Sequence, residues 1–314
     1  MRVVVLGAGI SGLSTATLLR QRGDDVILVS AHLTEATTSH LAAAVWFPTA
    51  AAPADKVASW GATTYDVLAT EAARGVPGVV MRESLVLYRE EPQPQPWADA
   101  VGDIRPARAD ELPPGYSHGL RFAVPLVEMP TYLPWLYRQY LDGGGRQETR
   151  RVDQLGELDD LQPDVIVNCA GLAAGALVGD TSTYPIRGQI VRVTNPGLTL
   201  SVRDEHHPAG RAYVHPRTND CILGGSLDAG AWDTTVDDEL TRSIVSRCSD
   251  LVPALAEAEV IGALVGLRPG RPEVRLERDE GLLPGVPVVH NYGHGGSGIT
   301  LAWGCAADAV RACG

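Results

Sequence analysis

The sequence predicts an α/β protein built around a parallel sheet, and three stretches carry that prediction. Arg2-Val3-Val4-Val5-Leu6 is a short apolar, β-branched run, which reads as a buried strand. Gly7-Ala8-Gly9-Ile10-Ser11-Gly12 follows at once, and Leu13 to Arg20 then reads as a helix ending at Gly23. A second apolar run, Val26 to Val29, completes a strand–helix–strand unit. Far down the chain, Asp164 to Gly171 reads as another buried strand, one that returns to the same sheet after an excursion.

The glycines in this setting have separate tasks. Gly7 permits the tight turn off the strand, Gly9 lets the backbone approach a pyrophosphate, and Gly12 lets the helix pack closely on the strands. The helix N-terminus then offers free N–H groups and the positive end of its dipole to phosphates. One expected element is missing. The second strand of such a unit usually ends in an acid that hydrogen-bonds the adenosine ribose, but here it ends Val29-Ser30-Ala31-His32. The ribose contact therefore falls to Ser30, His32, backbone or water.

At 314 residues the chain has ample material for a core in one large domain or two. A net charge of −12 argues against nucleic-acid and anionic-membrane partners, because no basic block offsets it. The five cysteines form no Cys-x-x-Cys pair, so buried reduced thiols are expected and no metal site. No eighteen-residue apolar run marks a membrane span, and no signal segment precedes the first strand, which makes the cytoplasm the expected compartment.

Taken in order, the hydroxyl-rich Thr34 to Ser39 leads into the small residues Ala42 to Val45, where a flat aromatic ligand could lie against the backbone. Lys56 to Arg74 has helical apolar spacing. Val79 to Met81 and Ser84 to Tyr88 read as two strands, Tyr116 to Val127 as a strand pair, and Thr131 to Leu141 as a helix with Pro134 in its first turn. Arg187-Gly188-Gln189 opens a strand. Arg211 to Arg217 and Cys221 to Gly225 form a hairpin around Thr218-Asn219-Asp220, whose alternation puts Tyr213 and His215 on one face. Asp237 to Leu251 reads as a helix. Val286 to His290 is a strand running into Asn291-Tyr292-Gly293-His294-Gly295-Gly296-Ser297-Gly298, with a helix beginning near Leu301. The chain thus has two glycine-rich strand-to-helix turns near its ends, and one dinucleotide spanning both is the economical explanation.

The Val3–Ser14 fingerprint, Thr37 to Trp46, Arg187-Gly188-Gln189, Tyr213 to Gly225, Gly266-Leu267-Arg268-Pro269 and His290-Asn291-Tyr292-Gly293-His294-Gly295-Gly296 together closely resemble the D-amino-acid oxidase family. The resemblance covers the whole chain. It implies a doubly wound, Rossmann-like FAD-binding domain (1–52, 135–188 and 258–314) interleaved with a mostly antiparallel-sheet substrate domain (53–134 and 189–257). By the same resemblance Arg268 binds the substrate α-carboxylate, Tyr213 adds a hydroxyl contact, and Gly296 offers its carbonyl to the amine; His215 shapes the side-chain pocket or merely packs. An arginine fork suits a carboxylate chemically and keeps its charge at any working pH. Gly7, Ala8, Gly9, Ile10, Ser11 and Gly12, with Thr37, Thr38 and Ser39, would line the phosphates and ribityl chain. Ala44, Val45 and Gly171 would lie along the cofactor. Gly293, Gly295, Gly296, Gly298, Ile299 and Thr300 would serve the flavin end.

The implied reaction is FAD-dependent oxidative deamination of D-amino acids of neutral or broad range, by hydride transfer to flavin N5. Its products are 2-oxo acids, ammonia and hydrogen peroxide. No side chain serves as acid or base, since hydride transfer needs alignment above all. The expected partners are a small D-amino acid and oxygen, in a monomer or homodimer. D-aspartate oxidase, a glycine- or sarcosine-type oxidase, a D-amino-acid dehydrogenase and a non-catalytic FAD-binding protein are the alternatives. His206, His207 and Arg217 favour the first of these; the structural alternative for Arg268 is a salt bridge to Glu273 or Glu277. The sequence departs from the family in two places. Ala31 stands at the ribose acid, and Glu205 to Gly210 is shorter than the tyrosine-bearing lid of animal members, which implies easier product exit and a wider substrate range.

Overall fold

Arg2–Leu6 is β1, and its five residues are buried or nearly so, as a strand flanked on both sides of a sheet must be. The computed structural model describes residues 1–48 and 51–314; Thr49 and Ala50, within the first assigned FAD-binding stretch, lie outside the described residues. The other strands are β2 Asp25–Ser30, β3 Val79–Tyr88, β4 Arg105–Pro106, β5 His118–Val127, β6 Arg146–Thr149, β7 Val165–Asn168 and β8 Tyr184–Val193. They continue as β9 Ser201–Asp204, β10 Ala212–Pro216, β11 Cys221–Gly224, β12 Asp228–Ala229, β13 Val260–Gly270, β14 Arg275–Asp279 and β15 Val288–Tyr292. The α-helices are α1 Ile10–Arg22, α2 Ala54–Ala73, α3 Met129–Asp142, α4 Ala173–Ala176, α5 Asp238–Leu251 and α6 Gly298–Cys313.

Among the described residues the strands form two sheets. The first has six strands in the order β14-β15-β7-β1-β2-β6, all parallel apart from the edge strand β14. Alternation sorts its side chains. Val3, Val5, Leu28 and Val167 face α1, α3 and α6, while Val4, Leu6, Ile27 and Ile166 face Leu155, Leu158 and the loops near Leu177 and Leu282. Both faces are covered, as a doubly wound sheet requires.

The second sheet has nine strands in the order β12-β8-β11-β10-β9-β3-β5-β4, with β13 on the other side of β8. It is antiparallel except where β3 meets β9. Val260–Gly270, within the stretch 258–314 assigned from sequence to the FAD-binding domain, pairs with β8 in the nine-stranded sheet. Helix α5 covers one face of this sheet. Its buried Ile244, Cys248 and Leu251 meet Val191, Val202, Val214 and Leu223, and Asp237 caps its N-terminus by accepting from the N–H groups of Glu239 and Leu240. The other face looks toward the cavity described below.

Several element expectations change. Val79 to Tyr88 is one strand rather than two, because the polar Arg82-Glu83 step stays in the ladder opposite Val124 and Ala123. His118 to Val127 is likewise one strand, paired along its whole length with β3. Helix α3 begins at Met129, with Pro130 in its first turn and Pro134 inside it, and α6 begins at Gly298, before Leu301. All five cysteines are buried free thiols. No helix among the described residues is long and apolar enough to cross a membrane, and no cluster of potential ligands there would hold a metal ion.

Candidate active site

The parallel strands β1, β7 and β15 end at one place, and each is followed by a turn of small residues: Gly7-Ala8, Ala170-Gly171 and Gly293 to Gly298. A cavity of about 600 Å³ opens there and runs on to the nine-stranded sheet. Ligands of open α/β sheets bind in this position, outside the carboxyl ends of the strands.

Its nucleotide end is made of backbone. Gly7 has φ +104°, and a Cβ there would lie 2.5 Å from the Cys169 carbonyl oxygen; one on Gly12 would lie 1.8 Å from that of Gly7. Only glycine lets the strand turn and the helix close on it. The N–H of Ile10 donates to Ser39 Oγ at 3.0 Å, so the hydroxyl loop reaches the start of α1. Thr37 is spent on its own turn, donating to the Thr34 carbonyl, and Thr38 donates to the Leu267 carbonyl at 3.1 Å. Ser30 and His32 both line the cavity where the ribose acid is missing, and Ser30 Oγ is buried without a hydrogen-bond partner. Ala44, at φ +53°, and Val45 pass along the wall and clip onto β5: the Ala44 carbonyl accepts from Val127 N–H, and Val45 bridges Leu126.

The far end is made of side chains. Arg268 lies on β13 diagonal to Gly188 on β8, and its guanidinium rests on that glycine; a Cβ on Gly188 would lie 2.0 Å from Arg268 Nη1. Among the described residues Arg268 has no acid partner. It donates only to the Ser226 carbonyl at 3.2 Å, while Glu277 pairs with Arg275 instead. The Arg187-Gly188-Gln189 run now has a physical reading. Alternation sends Arg187 and Gln189 to the back, where they hold the carbonyls of Asp233, Thr235 and Asp237, and leaves the bare Gly188 facing the site.

Tyr213 lies over Gly224 in the same way, since a Cβ there would be 2.0 Å from its ring. Burial pushes the phenol's pKa up, against the pull of Arg268 and Arg203, which keeps it a proton-bearing donor. His215 stacks on Tyr213 at 4.7 Å and 16°, so the alternation expected from sequence holds. Arg203 Nη2 donates to His215 Nε2 at 3.3 Å, which places the ring proton on Nδ1, toward Ser201 Oγ. Burial, with Arg203 beside it, holds that histidine's pKa far below its ordinary value, so the ring is neutral.

Sequence reading missed Arg203, Glu205 and Arg211, which line the same cavity. Strand alternation from Tyr213 across to β9 was the available signal, because Arg203 stands directly opposite Tyr213 in the ladder. The residues put forward for acidic recognition lie elsewhere. Arg217 is buried in a pair with Asp220 at 2.6 Å, His207 turns to Asp250, and neither these nor His206 lines the cavity. Of the expected cofactor residues, Gly12, Gly293 and Thr300 lie behind the wall. Gly12 packs on Gly7, Gly293 packs on Arg271, and Thr300 Oγ1 is engaged by the backbone of Phe47. The other expected cofactor positions line the cavity, from the turn after β1 to Ile299, and so does Gly296. His294 supports the glycine turn through Asn291 Oδ1 at 3.0 Å; burial lowers its pKa to about 4.

The segment from Glu205 to Gly210 is anchored at both ends. Asp204 accepts from Arg89 and from the Tyr116 hydroxyl, each at 2.7 Å. Arg247 reaches from α5 to the Ala209 and Gly225 carbonyls, both at 2.9 Å.

A backbone cradle for phosphates leading into a wall of small residues defines a flavin-dependent oxidoreductase site. The model of the family described as FAD dependent oxidoreductase matches residues 2–312, and the chain belongs to that family. It is 48% identical over 314 residues to a D-amino-acid oxidase of Rubrobacter xylanophilus, covering 100% of this chain and 96% of the relative. It is 36% identical to the D-aspartate oxidase of Homo sapiens, covering 99% and 94%. Among solved structures, glycine oxidase from Geobacillus kaustophilus superposes with a TM-score of 0.79 at 19% identity, over 99% of this chain and 95% of that one, which shows the shared fold.

Proposed function

We propose that the protein is a D-amino-acid oxidase that deaminates neutral D-amino acids over a broad range. The observation that carries this reading is Arg268, a cation without an acid partner among the described residues, in one cavity with the phosphate cradle and the Tyr213 hydroxyl. The family and the named relatives add their weight.

The residues present fit FAD: the cradle at Gly7 and Gly12 would be filled by any Cβ, and Ser30 offers an unused hydroxyl near the ribose position. Gly7, Gly9 and Ser39 would hold the phosphates, and Ala44, Val45, Gly295 and Gly298 the ring. When bound, FAD supplies the acceptor for the two electrons and the hydrogen leaving the substrate α-carbon. The protein's part is alignment. Arg268 binds the α-carboxylate through its fork, and the protonated Tyr213 hydroxyl donates to the same group. Gly296 accepts from the amine through its carbonyl. With carboxylate and amine both held, one hydrogen of the α-carbon is fixed in direction, which selects the hand of the substrate. The six-stranded sheet serves the cofactor and the nine-stranded sheet the substrate.

A second reading, with acidic D-amino acids preferred, is favoured by Arg203, whose Nη1 is buried without a partner in the cavity. Anaerobic bleaching of the yellow protein by D-alanine but not L-alanine, with peroxide on readmission of air, tests the activity. Bleaching without peroxide would mean a dehydrogenase. A panel including D-aspartate and glycine separates the substrate readings. Oxygen as acceptor and the cytoplasm as compartment belong to the same proposal, the latter tested by imaging a tagged copy.

A further inference from the structure

Three guanidinium groups and one carboxylate gather at the substrate end of the cavity: Arg203, Arg211, Arg268 and Glu205. Their arrangement is uneven. Arg268 stands without an acid, whereas Glu205 is shared between the other two, with Oε1 3.5 Å from Arg203 Nε and Oε2 3.3 Å from Arg211 Nη1. The carboxylate therefore forks across two arginines rather than saturating either. The Arg203 guanidinium carbon lies over the Phe47 ring at 4.1 Å and 5.9 Å from the Tyr213 ring centre, and its Nη1 remains buried and unpaired.

Tyr213 lines the cavity together with Arg268 and Arg203. On the reading above, a substrate whose α-carboxylate rests on Arg268 and Tyr213 would have Arg203 and Phe47 in the same cavity to meet its side chain. A neutral side chain there would meet the Phe47 ring and the Arg203 guanidinium stacked on it. An acidic one meets the open Nη1 of Arg203, but also the negative charge of Glu205 close by.

We propose that Glu205 is the specificity-determining residue of the side-chain subsite: its carboxylate occupies the electrostatic place of an acidic substrate side chain and turns the pocket toward neutral substrates. Selectivity here comes from a built-in repulsion, set against an arginine that would otherwise attract. This rests on the D-amino-acid reading above and refines it. The segment carrying Glu205 is pinned by Asp204 on one side and Arg247 on the other, so the carboxylate is held in register with the pocket.

The test is Glu205→Gln, which keeps the size and hydrogen-bonding capacity while removing the charge. The ratio of kcat/KM for D-aspartate to that for D-alanine is expected to rise about tenfold or more, since a like charge is removed from beside the incoming carboxylate. A parallel arm needs no turnover: titration of the flavin absorbance with malonate and with propionate, where the variant should gain affinity for malonate relative to propionate. A ratio that stays unchanged or falls in either arm overturns the proposal, because a purely structural role would weaken both ligands alike. If the wild-type flavin is reduced by no D-amino acid, the substrate reading fails, and the malonate-to-propionate arm still decides the role of Glu205.

Discussion

The two ends of the cavity are built on opposite terms. At the end beside the β1 turn the chain comes close through backbone: Gly7 and Gly12 leave no room for a Cβ. The other end is lined by charged side chains, and two glycines there, Gly188 and Gly224, are platforms for Arg268 and Tyr213. The same residue type serves closeness to a ligand in one region and closeness to a side chain in the other. Substitutions should therefore separate cofactor retention from substrate use.

The largest effect is expected from Gly12→Val. Its side chain would meet the Gly7 carbonyl, and overpacking of this kind costs about 1–3 kcal/mol or more. The purified protein should be colourless, read from flavin absorbance against protein absorbance, with a lowered Tm. Arg268→Ala should stay yellow but lose about 10²–10³-fold in kcat/KM for D-alanine, the cost of removing a charge-assisted carboxylate contact. Near-normal kcat/KM would remove Arg268 from the site. Gly188→Ala sharpens the contrast, because it alters no ligand group yet must displace the guanidinium; a loss of roughly 10-fold to 10²-fold is expected, mostly in KM. Tyr213→Phe should lose about tenfold, one hydrogen bond to a charged group.

The smallest effect on turnover is expected at Glu71, remote from both ends. It accepts from the Tyr132 hydroxyl at 2.8 Å, and burial raises its pKa to about 7. Because the folded state holds this proton more tightly than the unfolded chain, its contribution is present below the ordinary carboxylate pKa and lost as pH rises toward 7. Glu71→Gln should leave kcat/KM alone and raise stability at pH 8 by about 1–2 kcal/mol, with no gain at pH 4, measured by urea unfolding.

The nucleotide end was largely legible in the sequence because its signals are contiguous: a strand, a glycine turn and a helix within twenty-three residues. The substrate end is assembled from β8, β9, β10 and β13, and only the strand pairings reveal who faces whom. Arg203 and Glu205 sit in a polar stretch that resembles a loop, and Asp204 between them points the other way into its own network. Arg217 misled because charge was visible and direction was not; Asp220, three residues on, consumes it. Arg82-Glu83 looked like a break between strands, yet on an antiparallel sheet Glu83 simply meets Arg121 across the ladder.

One hydrogen bond crosses between the two ends. Thr38 belongs to the hydroxyl-rich loop that reaches the start of α1, and its hydroxyl donates to the carbonyl of Leu267, the residue before Arg268. If Arg268 binds a carboxylate as proposed, occupancy of one end and the placement of that arginine are mechanically joined. Binding linkage is reciprocal, so any factor by which the loaded cofactor tightens a carboxylate ligand must reappear as the factor by which that ligand slows cofactor loss. A simple acid such as propionate should then act as a preservative of the holoenzyme.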